Sequence, residues 1–196
     1  NDYVFVVRAG QPPNGAENGT KAAGHGSEFA CAMSGAPISG EYIRHEAQAG
    51  NLGSRLMAIV CEGKHGRIYV SPDSDMESLA LSAAPDWRPD VEFFQQALGF
   101  RIGNYGMSRW SDLFTNRQLL ALNTFSDLIT EARSRVHGDA LSEPSIRSLP
   151  GTASEGAARA YSEAIGVYLA FAISRMANYS SALCVWSSHP KDELAK

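Results

Sequence analysis

The sequence predicts an α+β fold, with a small antiparallel β part over residues ~1–72 followed by a helical part. Two long helices dominate that second part, at about residues 115–137 and 153–179. Three observations carry the prediction. Short apolar blocks bounded by glycines fill the chain before residue 72. Apolar residues recur at helical spacing after residue 115. Each long helix also begins at a match to the capping-box pattern.

Taken in order, Tyr3 to Ala9 reads as a strand, and residues 10–27 read as a Gly- and Pro-rich loop. Phe29 to Met33 reads as a short strand, and Gly40 to Gly53 holds one short helical turn at most. Arg55 to Glu62 and Arg67 to Ser71 form a hairpin closed by Gly63-Lys64-His65-Gly66. A helix is predicted over Asp73 to Ala83, a break at Trp87-Arg88-Pro89, and a short helix over Val91 to Leu98. Thr115 and Gln118 then open a helix carrying Leu119, Leu122, Phe125, Ile129, Ala132 and Val136, with His137-Gly138 as its stop. A loop follows to residue 151. Thr152 and Glu155 open the last helix, whose stripe from Tyr161 to Met176 is wide. Val167 and Phe171 add a second apolar face, so most of this helix should be buried. The organisation expected is a β subdomain over 1–72 and a helical subdomain over 73–196, joined as one compact unit.

Composition excludes several classes. A hydrophobic fraction of 44% with 19% charged residues can fill a core, and the net charge of −4 argues against a strongly basic nucleic-acid module. Three widely spaced cysteines, Cys31, Cys61 and Cys184, fit a reducing cytoplasm better than a disulfide framework. The apolar run Ala164 to Ile173 is half a membrane span, so no membrane association is expected. A start at Asn1 rather than Met suggests a piece of a longer chain.

Motifs for chemistry are sparse. Cys31-Ala32-Met33-Ser34-Gly35 has the outline of a zinc knuckle with Ser in place of the second Cys. His25, His45, Cys61 and His65 do not repeat the paired spacing, so no bound metal is expected. The cysteines sit in apolar strings that predict small buried side chains. No Gly-x-Ser-x-Gly elbow, phosphate-binding loop or dinucleotide fingerprint occurs. The remaining candidate is the stretch from Phe100 to Gln118. There Asn104, Tyr105, Arg109, Trp110, Arg117 and Gln118 could contact DNA through base edges, phosphates and stacking. The alternative is a structural loop whose aromatics plug the core while its arginines pair with Asp112 and Asp127.

Several strings resemble the middle region of large adenine-specific DNA methylase-like proteins of bacteria and archaea. They are Arg55 to Gly63, Gly66 to Val70, Trp87-Arg88-Pro89, Asn104 to Leu122, Tyr161 to Ile173 and Tyr179 to Trp186. Such proteins often carry a zinc-ribbon-like segment, so residues 1–72 would be its degenerate form, Ser34 standing where relatives have Cys. In that family, the resemblance implies, an S-adenosylmethionine motif lies upstream and an Asp-Pro-Pro-Tyr motif downstream. Neither occurs here, and Gln11-Pro12-Pro13-Asn14 is no substitute. The expectation is a non-catalytic insert without a cofactor of its own, in the cytoplasmic setting of restriction-modification or phage defence. Its partners would be DNA, through the parent enzyme, and the rest of the methylase chain. Two roles follow: target recognition or DNA positioning, and a structural insert that braces the methylase halves or docks a defence partner. Exposed apolar surface on the last helix would favour the second.

Overall fold

Two short antiparallel hairpins and two long helices make the fold α+β. The computed structural model describes residues 3–22, 28–94 and 101–186. Strand β1 (Phe29–Ala30) pairs with β2 (Pro37–Ile38), and β3 (Ile59–Gly63) pairs with β4 (Gly66–Val70). Lys64-His65 form the two-residue turn of the second hairpin, where Gly66 takes a φ of +129°, a value that side chains resist. Helix α1 (Gly40–Gln48) lies between the hairpins and α2 (Ser74–Leu81) follows them. The long helices are α3 (Asn116–Ser142) and α5 (Ala153–Tyr179), joined by the single turn α4 (Pro144–Arg147).

Several local expectations are corrected. Tyr3 to Ala9 forms no strand. Side-chain bonds hold the segment instead, with Val7 N–H donating to Ser71 Oγ and Arg55 donating to the Tyr3 carbonyl. Residues 40–53 hold a nine-residue helix rather than one turn, because Ser39 Oγ caps it by accepting from Tyr42 N–H. Val91 to Phe94 is not helical; Glu92 bridges Arg109 in antiparallel fashion, and the rest of that predicted helix lies outside the described residues. Helix α3 runs through His137-Gly138 to Ser142. Its stop is Glu143, at φ −66° and ψ 126°, held out of helical geometry by the following Pro144.

The two capping boxes differ. At Thr115 both halves form: its hydroxyl accepts from Gln118 N–H while Gln118 Oε1 accepts from Thr115 N–H. Thr152 has helical backbone and makes no side-chain cap. Glu155 is turned elsewhere, to a 2.9 Å contact with His137 Nε2 of α3.

The chain divides into two compact units. Among the described residues, the first combines those up to Ser82 with those from Asp90 to Asp112, and the second combines Ala83–Pro89 with those from Leu113 to Trp186. In the first, Arg55 grips Glu77 of α2 through two hydrogen bonds and stacks on the Tyr3 ring. In the second, α3 and α5 run antiparallel, and Ala158, Ser162 and Gly166 are buried in their seam. The Arg133 stem crosses the backbone of Gly166, where a Cβ would lie 2.5 Å from Arg133 Cδ. Asn123 donates to the Trp87 carbonyl and Arg88 donates to Asn116, tying the Trp-Arg-Pro break to α3. Among the described residues no helix is long and apolar enough to cross a membrane.

The Arg55 bond and the Leu56 N–H hold the Glu77 carboxyl below its usual value. A lowered carboxyl stabilises the fold above the ordinary carboxylate range, about pH 4.3, and that contribution is lost as pH falls through the lowered value. Glu77→Gln should therefore unfold at a lower temperature than the unsubstituted chain at about pH 7. Melting curves taken down to about pH 3 should show that gap closing.

Candidate functional site

The stretch from Arg101 to Gln118 is built from three short devices. A single 3₁₀ turn, Ile102–Tyr105, ends at Gly106, whose φ of 76° favours glycine. Gly106 also presses on the Ala47 carbonyl of α1, so a side chain there would collide with backbone. Next, the 91–93 and 108–110 backbones pair, with Phe93 N–H donating to Ser108 O and Trp110 N–H to Val91 O, each 3.0 Å. Finally the Asp112 carboxylate accepts from Ser108 and Arg109 N–H at 2.8 and 2.9 Å, closing the turn that leads into α3.

These devices place the six predicted contact residues unequally. Asn104 and Tyr105 are exposed, and the Asn104 carbonyl accepts from Gln48 of α1 at 3.2 Å. The Arg109 guanidinium lies 3.9 Å from Asp90 and 3.8 Å from Glu92. Neither Asp112 nor Asp127 pairs with it, because Asp112 is already bonded to backbone N–H groups and the strand-like bridge sets Glu92 opposite Arg109. Trp110 is 45% exposed and meets the buried Phe93 edge-to-face at 5.1 Å. It is therefore half plug and half surface. Arg117, in the first turn of α3, is exposed without an ion-pair partner among the described residues. Gln118 is held by the capping box and is half-buried. Asn104, Tyr105, Arg109 and Trp110 belong to the first unit, while Arg117 and Gln118 belong to the second.

The knuckle outline at Cys31 is a turn closed by backbone and side-chain hydrogen bonds. Cys31 N–H donates to the Ala36 carbonyl, Gly35 N–H donates to Cys31 O, and Ala36 N–H donates to Ser34 Oγ. The Ser34 hydroxyl, with N–H groups of Ser34 and Met33, holds the Cys31 thiol below its ordinary value. Among the described residues no three His, Cys, Asp or Glu side chains gather as a metal set; His25 lies outside them. The expected burial of the cysteines fails: Cys61 and Cys184 are exposed and Cys31 is half-buried. Each hairpin has two strands only, too few to cover a face.

No family model, curated protein or solved structure matches the chain. The chemistry of its surface is thus the available guide, and the largest departure from sequence-based expectation lies on α5. Val167, Tyr168 and Phe171 are 53%, 73% and 66% exposed, where burial was expected. Within its unit α5 packs chiefly on α3, and a single neighbour covers one side of a helix. The signal was present in the sequence as the second apolar face; what it lacked was a covering element among the described residues of its unit.

Because Trp110 is half exposed, Trp110→Ala should cost about 1–2 kcal/mol, below the roughly 3–5 kcal/mol of emptying a fully buried aromatic site. Chemical denaturation of the two proteins measures the difference.

Proposed function

We propose that this chain is a non-catalytic insert of an adenine-specific DNA methyltransferase, serving as a structural element that packs against the rest of that enzyme. One observation carries the reading: the outer ridge of α5. Val167 and Phe171 are one helical turn apart, Tyr168 stands beside them, and from Ala164 to Ser174 no side chain is charged. Exposed apolar surface of this kind on a long helix marks an interaction site. The resemblance of the Asn104 to Leu122 and Tyr161 to Ile173 strings to methylase-like proteins supplies the parent enzyme. The methylase motifs absent here would be supplied by the other parts of that chain, together with its cofactor.

DNA recognition is the second reading, favoured by exposed Arg117, by Asn104 and by the open edge of Trp110. It is weakened at Arg109, whose charge is offset by Asp90 and Glu92. Phosphate binding needs cations free to replace counterions, and here the central one is flanked by two carboxylates.

Fluorescence-anisotropy titration with duplex and single-stranded DNA separates the two readings. Bracing predicts no binding even at low salt. Affinity that falls steeply with salt, and that drops when Arg109 and Arg117 become Ala, would establish DNA recognition instead.

A further inference from the structure

Where α3 ends, α4 turns and α5 passes back, the second unit holds a cavity of about 520 Å³. Val136, Ile146 and Ile165 line it half-buried, and Tyr161 adds an aromatic wall. Its charged groups are the exposed carboxylates of Asp139 and Glu143. A cavity of this size, mostly apolar with a few convergent polar groups, has the make-up of a small-molecule site. The apolar lining also continues beyond it. Ala132 and Leu169, one helical turn past Val136 and Ile165, belong to a further open groove between α3 and α5.

The two carboxylates are placed against the helix that carries them. Asp139 lies in the last turn of α3 and Glu143 is its C-cap, where the helix dipole favours cations, and that turn holds no basic residue. Being four apart, the two like charges are also neighbours on the helix surface and repel. Neither has an ion-pair or side-chain hydrogen-bond partner among the described residues. Arg135 and His137, the basic residues nearest Asp139 along α3, are engaged by Glu131 and Glu155. Glu143 makes no side-chain cap to α4 either. This is negative charge that the fold leaves uncompensated at the rim of an apolar cavity.

We infer that the cavity binds an organic amine, its ammonium group beside Asp139 and Glu143 and its apolar body over Val136, Ile146 and Ile165. The Tyr161 ring offers the ammonium a further attractive face. The two halves of the lining select this class together. A neutral hydrophobe would leave both carboxylates unmatched, and a bare metal ion would leave the apolar lining unused; no three metal-ligating side chains gather among the described residues. The site goes beyond the bracing reading and shares no residue with the outer ridge of α5.

Calorimetric titration of the full chain with n-octylamine, protonated at about pH 7, tests this, with octan-1-ol as the neutral counterpart. One amine should bind per chain with a submillimolar Kd, and the alcohol should bind at least about tenfold more weakly. Shortening the amine to n-hexylamine should weaken binding more than about tenfold, the effect of two buried methylenes. Asp139→Asn combined with Glu143→Gln should bring the amine down to the affinity of the alcohol, with circular dichroism showing the helices retained. Equal affinity for amine and alcohol overturns the inference. So does unchanged amine affinity in the Asn/Gln variant, or no amine binding up to about 5 mM. The DNA titration tests the bracing role separately, and neither result decides the other.

Discussion

Three small residues spaced four apart, Ala158, Ser162 and Gly166, let α5 lie close against α3, and the helical unit is arranged around that seam. Ala158 is 0% exposed, the most enclosed apolar side chain in the described core. Ser162 is buried with its hydroxyl donating to the Arg159 carbonyl, so its polar atom is satisfied within its own helix. Gly166 leaves room for the Arg133 stem to cross. With the contact line on these small residues, the larger ones fall to either side. Leu169, Ala172, Ile173 and Met176 line a groove with Phe125, Leu128, Ile129 and Ala132 of α3, and Val167, Tyr168 and Phe171 are exposed. The seam therefore decides which apolar side chains face α3 and which are exposed.

Much of this fold was legible in residues. Thr115 and Gln118 mark the start of α3 because a capping box is a local device that needs no tertiary help. The β3–β4 hairpin reads equally well, since its glycines and apolar strands act over a few residues. Expectations failed where a long-range choice decided. Thr152 carries the right pattern, yet Glu155 pairs with His137 across the helix seam. His137-Gly138 looks like a stop, but one glycine costs only about 1 kcal/mol in a helix, and Ala140 beyond it is buried. Tyr3 to Ala9 has strand composition without a strand to pair with, and side-chain donors and acceptors hold it instead.

The exposure of most candidate residues was legible in the sequence, and their electrostatics were not. Asn104, Tyr105 and Arg109 in the first unit and Arg117 in the second are each exposed. That Asp90 and Glu92 would stand beside Arg109 depends on the pairing of residues 91–93 with 108–110, which local propensity does not encode. The second apolar face of α5 was visible as a pattern. Reading it as buried assumed that another element packs on it, and among the described residues Val167, Tyr168 and Phe171 remain exposed.

The central claim is that close packing at the small-residue seam organises the helical unit, and Ala158→Leu tests it directly. Leu has nearly the helix propensity of Ala, so a change in the denaturation midpoint reports packing rather than helix formation. Overfilling a tight seam should destabilise the chain by about 1–3 kcal/mol. Unchanged or increased stability would contradict the account, because it would mean that α3 and α5 are not held together at Ala158.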